Sequence, residues 1–206
     1  MYPEEIEINE KTYKINTDYR YALACFEALE DEDINDIARA MALVSILLGQ
    51  EKDDEVVTPD FTYEELSQAI PLLIKYLSHN EGEEETRGVT KRDMDFIQDR
   101  KYINASFMSD YRIDLDSIEM HWWKFCELLE GLTDKCVLNR VRDLRNTDLS
   151  EYKDSKTINK LQRAMQSVAL KNKRTKEVKR KKSWNYISFF FSVLCYAFCC
   201  CCCLVS

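Results

Sequence analysis

Glycine and proline are scarce in this chain, with 4 and 3 among 206 residues. That excludes a collagen-like or loop-dominated chain and favours long helices. Histidine is scarcer still, with 2. His79 lies in an acidic stretch and His121 precedes a tryptophan pair. So few imidazoles leave little for acid–base or zinc chemistry. His121 and Cys126 offer two ligands at most, and the Cys-x-x-Cys pairs of a closed zinc site are missing. There is also no glycine-rich phosphate loop, no Gly-x-Ser-x-Gly and no His-Glu-x-x-His. The expectation is a protein that is not an enzyme and uses no cofactor or bound metal. The first ten residues hold four glutamates and no apolar run, so no signal peptide is expected there.

Cysteine is plentiful but badly placed for a disulfide framework. Of 9 cysteines, six are Cys195 and Cys199, Cys200, Cys201, Cys202 and Cys203. The other three, Cys25, Cys126 and Cys136, are scattered through helical patterns. Scattered cysteines on apolar faces act as small core residues. The chain is expected to fold reduced, in a cytoplasm.

Charge is unevenly distributed. Residues 1–150 hold 34 acidic and 17 basic side chains, a net −17; residues 151–206 hold 3 and 12, a net +9. An acidic body is thus followed by a basic arm, 151–182, and then by an uncharged segment, 183–206. The body should repel nucleic acid, and only the arm is suited to a polyanion or an anionic membrane. The arm lacks interleaved aromatics for base stacking, so no nucleic-acid partner is expected.

Periodicity predicts a mainly α fold of about six helices behind a short β-hairpin. Residues 5–8 and 12–15 alternate around Asn9 and Glu10, a weaker turn pair than Asn-Gly. Asn16 or Thr17 is placed to cap a helix running to about Leu29. The acids at 30–33 break the chain before a second helix that Gly49 stops. Residues 50–60 read as an acidic loop. Thr62 and Glu65 have capping-box spacing ahead of a third helix, in which Pro71 should force a kink or restart. Residues 79–90 read as an acidic loop. A helix from about Asp93 to Tyr111 follows, then an apolar helix opened by Asp116 and closed by Gly131, then one begun by Thr133. In the arm, Ile158, Leu161, Met165, Val168 and Leu170 suggest a long exposed helix.

Two clusters invite a functional reading. Asp93, Asp95 and Asp99 are spaced to hold a divalent ion, or simply to complement a helix dipole. Trp122, Trp123 and Phe125 diverge by about 100° per residue around a helix. Either the helix is buried on several sides, or one tryptophan faces the core and the other a partner. Phe107, Tyr111, Trp122, Trp123 and Phe125 are therefore the candidate partner-binding residues.

The stretch DRKYINASFMSDYRIDL at 99–115, with MHWWKF at 120–125 and LLEGL at 128–132, resembles the bacteriophage gene-product-fifteen family. INTDYR at 15–20 and RDLRNTDL at 142–149 are similar as well. The resemblance covers about residues 3–180. It implies a tail gene product of long-tailed phages, similar to the chaperones that keep the helical tape-measure protein soluble during tail assembly. The implied partners are the tape-measure protein or other tail proteins, in the host cytoplasm. No catalytic residues come with the resemblance.

After about Lys182 the chain departs from that family's charged ending. Residues 183–206 hold no charge and 19 apolar residues of 24, behind Lys179, Arg180, Lys181 and Lys182. As a helix they would span about 36 Å, enough for a bilayer core of about 30 Å. Trp184, Phe189, Phe190, Phe191, Leu194 and Phe198 would face lipid, and the basic flank would stay cytosolic. This gives the rival reading, a tail-anchored protein of the host inner membrane with a cytosolic helical domain. The abrupt change of composition also fits a frameshifted ending.

Overall fold

A computed structural model describes residues 1–31, 33–53, 55–79 and 92–170. Met1–Leu170 form one compact unit. The membrane candidates Trp184, Phe189, Phe190, Phe191, Leu194 and Phe198 lie outside the described residues, as does the arm beyond Leu170. Among the described residues no helix is long and apolar enough to cross a membrane.

The N-terminal hairpin pairs β1 (Glu5–Ile8) with β2 (Lys11–Lys14), Ile8 opposite Lys11. Asn9 and Glu10 both take positive φ, 49° and 62°. That is the two-residue turn whose twist matches the strands, reached here without glycine. The expected acidic loop at 50–60 instead contains a second hairpin, β3 (Gln50–Lys52) with β4 (Glu55–Val57). Asp53, at φ 53°, supplies left-handed backbone that aspartate tolerates.

Among the described residues, seven α-helices follow the predicted order, with several shifted starts. Helix α1 (Tyr19–Glu30) is capped by Asp18 rather than Asn16 or Thr17, and α2 (Asp36–Leu48) by Asn35. Helix α3 (Tyr63–Leu77) has the full Thr62–Glu65 capping box. Pro71 sits inside α3 without ending it. It lies on the exposed face, where water can take the carbonyl it leaves unpaired.

Helix α4 begins at Arg100, not near Asp93, and runs to Tyr111. The Asp95 carboxylate accepts from the backbone N–H of Ile97 and Gln98 and folds residues 95–99 into turns. Asp99, at the cap position, makes no side-chain cap bond because its carboxylate serves Arg145. Helix α5 (Trp122–Glu130) begins six residues after the expected Asp116. Residues 17–19 hold the preceding chain extended: Tyr19 N–H donates to Met120 C=O at 2.8 Å and Trp122 N–H to Thr17 C=O at 2.7 Å. Helix α6 (Val137–Asn146) is capped by Cys136, whose Sγ accepts from Asn139 N–H. Helix α7 (Ser155–Val168) is capped by Asp154 and packs on α6.

Candidate interaction surface along α1

The five aromatic candidates were placed by helical spacing, and the fold turns them inward. Phe107, Trp122, Trp123 and Phe125 are buried, and Tyr111 is half-buried. Phe125 stacks on Tyr19 at 4.8 Å, Phe107 at 5.2 Å and Trp122 at 5.6 Å between ring centroids. Phe26 and Phe96 close the other side of Trp122, at 5.7 and 5.8 Å. Such ring pairs add to the burial of large apolar area. In this structure these side chains build the core and leave a partner little to touch.

Both indole N–H groups have a structural task. Trp122 Nε1 donates to Leu77 C=O at 3.1 Å and Trp123 Nε1 to Tyr76 C=O at 3.0 Å. These are carbonyls in the last turn of α3, where intrahelical donors run out, and Tyr76 C=O also accepts from His79 N–H at 3.3 Å. Two consecutive tryptophans therefore close the C-terminus of another helix. His121 completes the arrangement: Nδ1 accepts from Trp123 N–H at 3.1 Å, Nε2 lies 3.1 Å from Pro3 C=O, and the ring stacks on Tyr2 at 4.8 Å.

The aspartates resolve into three ion pairs. Asp93 meets Arg142 at 3.1 Å, Asp95 meets Arg92, and Asp99 meets Arg145. The last is the deepest. Asp99 is fully buried, and its two oxygens each take an Arg145 N–H at 2.7 Å. Arg145 also donates to Asp93 C=O and Val168 C=O at 2.7 Å, so one guanidinium joins α4, α6 and the end of α7. The hydrogen bonds to Asp99 raise the pKa of the Arg145 guanidinium above its ordinary value. Burial pushes the Cys25 and Cys126 thiols up to about 12, keeping them protonated and inert as core groups.

The concave surface lies elsewhere, along α1. A cleft of about 550 Å³ is lined by Asn16, Thr17, Asp18, Arg20, Tyr21 and Glu119 with the end of β2. A second, about 270 Å³, runs between Leu23, Ala24 and Glu27 of α1 and Phe96, Ile97 and Arg100. Tyr19 and Arg20 line the second as well, so Arg20 is common to both. Tyr21 and Ile97 are 46% and 44% exposed. The result is a mixed groove: apolar floor, charged rim. Arg20 is tied to Asp18 at 2.6 Å and Arg100 to Asp116 at 3.2 Å. Sequence periodicity missed this surface, because Phe96 and Ile97 lie in a turn rather than on a helix.

Over this geometry the decisive match is a broad one. The family model described as Bacteriophage Gp15 protein matches residues 2–170. The chain belongs to that family. No curated protein and no solved structure matches it. The Gp15 match spans both hairpins and every described helix, the α1 groove included. Membership makes this a bacteriophage protein and points to a structural or assembly role.

Asp18 is the titratable pivot of the Gp15 groove. Burial works to raise its carboxyl, but hydrogen bonds from Arg20 and Met120 and the Arg20 charge outweigh it, so the pKa falls below 3.8. A lowered carboxylate stabilises the fold fully above its unfolded value, and that contribution disappears as pH drops through the folded value. Urea midpoints should therefore decline below about pH 4, and Asp18→Asn should flatten that part of the curve. An Asp18→Asn curve parallel to the unsubstituted one across that window would refute the coupling.

Proposed function

We propose that this Gp15-family protein is a tail assembly chaperone that binds the tape-measure protein and keeps it soluble, a binding role rather than a catalytic one. Family membership carries the reading. Two physical features support it. The acidic body, net −17 over residues 1–150, keeps a complex with an apolar partner in solution. The α1 groove has the apolar floor and charged rim that receive one face of an amphipathic helix.

Co-expression with the tape-measure protein of the same phage tests this. The expected result is a soluble complex that co-purifies. Tyr21→Glu with Ile97→Glu, both at exposed positions, should leave the helical circular dichroism unchanged and reduce recovery of the tape-measure protein at least about tenfold, as loss of a few apolar anchors does. A tape-measure protein that stays insoluble beside the unsubstituted chain would overturn the proposal. Loss of binding by neither substitution would move the site off α1.

A further inference from the structure

Among the described residues the β3–β4 hairpin is left largely uncovered. All six of its strand residues are exposed. Val56 and Val57 are 65% and 52% exposed. A two-stranded ribbon with water on both faces is marginal by itself, and open edges beside bare valines invite a covering surface. Glu51 stands opposite Val56 in the register. Residues 50–57 include four acids and one lysine. The hairpin therefore exposes one valine on each face within a net charge of −3.

Helix α7 is its chemical complement. Ile158, Leu161, Met165 and Val168 recur at helical spacing and are half-buried, and the helix packs on α6. Lys156, Lys160 and Arg163 recur at i, i+4 and i+7 and are exposed. Lys160 and Ile158 are two residues apart, about 200° around the helix, so the cations point away from the apolar stripe. None of the three side chains has a hydrogen bond or ion pair among the described residues, although residues 1–150 carry −17.

We propose that the cationic face of α7 docks on the acidic β3–β4 hairpin of a second copy of this chain, so that copies associate head to tail. The two surfaces differ, which makes the contact heterologous. Lys156 and Lys160 are about 6 Å apart along α7, while Glu51 lies in β3 and Asp53 in the turn that follows it. Lysine stems lying across Val56, which shares a face with its cross-strand partner Glu51, would cover apolar area while their ammonium groups reach the carboxylates. The same charges that keep this surface from closing on a second hairpin or a second α7 select the unlike pair.

The test is a charge swap in the full chain, read by sedimentation at about 50 and 500 mM salt. The unsubstituted protein should associate at low salt and dissociate at high salt. Lys156→Glu/Lys160→Glu/Arg163→Glu should weaken association by more than about tenfold. Glu51→Lys/Asp53→Lys/Glu55→Lys should do the same, and mixing the two variants should restore a complex. Circular dichroism checks that both fold. Association through the apolar residues 183–206 would ignore both charge reversals, and that result overturns the proposal. So does a chain that is monomeric at every salt concentration. If the α7 variant instead loses only retention on DNA or on anionic vesicles, with its mass unchanged, the cationic face serves a different partner and the self-association model falls.

Discussion

Trp122→Ala should lower the unfolding free energy by about 3–5 kcal/mol, the cost of emptying a fully buried aromatic site. The change removes the ring that Phe26, Phe96 and Phe125 surround. It also strands the Leu77 carbonyl that the indole N–H satisfies at 3.1 Å. Trp122→Phe refills part of the volume but restores no donor, so it should recover only part of the loss. Trp123→Ala removes one donor from Tyr76 C=O, which keeps the His79 N–H at 3.3 Å, and Trp123 stands nearer the surface, with Tyr76 and His79 as ring partners. Its cost should be smaller. Urea unfolding of the three variants measures the order. A Trp122→Ala protein as stable as the unsubstituted chain would contradict the core described above.

Arg145→Met should be nearly as damaging, at about 3–5 kcal/mol, because it leaves the Asp99 carboxylate buried and uncompensated. Asp99 is fully buried and takes an Arg145 N–H on each of its two oxygens. The single change also frees Val168 C=O at the end of α7, so α7 should loosen first. Amide exchange across residues 155–168 should rise in Arg145→Met before the rest of the fold is affected. The double change Arg145→Met with Asp99→Leu removes both charges together and should recover much of the stability. A double variant that unfolds at the sum of the single losses would show that the pair is not a closed unit. Neither Asp99 nor Arg145 lines the α1 groove.

Much of the fold was legible along the chain. The Asn9–Glu10 hairpin and the Thr62–Glu65 box are local devices, and local pattern suffices to find them. Where the reading slipped, a distant group had intervened. Asp99 looked like part of a helix start, but Arg145, 46 residues on, claims its carboxylate. Asp116 looked like the cap of the tryptophan helix. Contacts with residues 17–19 keep the chain extended until His121, and that residue caps instead. The hairpin at 50–57 was hidden because its acids read as loop, while its pairing depends on backbone register.

The candidate surface was less legible than the fold. Aromatic content drew attention to Trp122, Trp123, Phe125, Phe107 and Tyr111, yet a ring binds a core or a partner equally well, and spacing alone cannot separate the two. The groove takes its apolar floor from α1 and from the turn before α4, segments about 70 residues apart. No one-dimensional pattern records such a meeting.

By itself the sequence determined the helical class, the family and the split between an acidic body and a basic arm. Those follow from period, motif and summed charge, all properties of neighbours along the chain. Only the tertiary structure decided which tryptophan donor meets which carbonyl, that Arg145 locks α4 and α7 to α6, and that α1 keeps a groove open. These depend on buried polar groups finding partners far away in sequence, because an unsatisfied one inside the core costs more than the local preference it overrides.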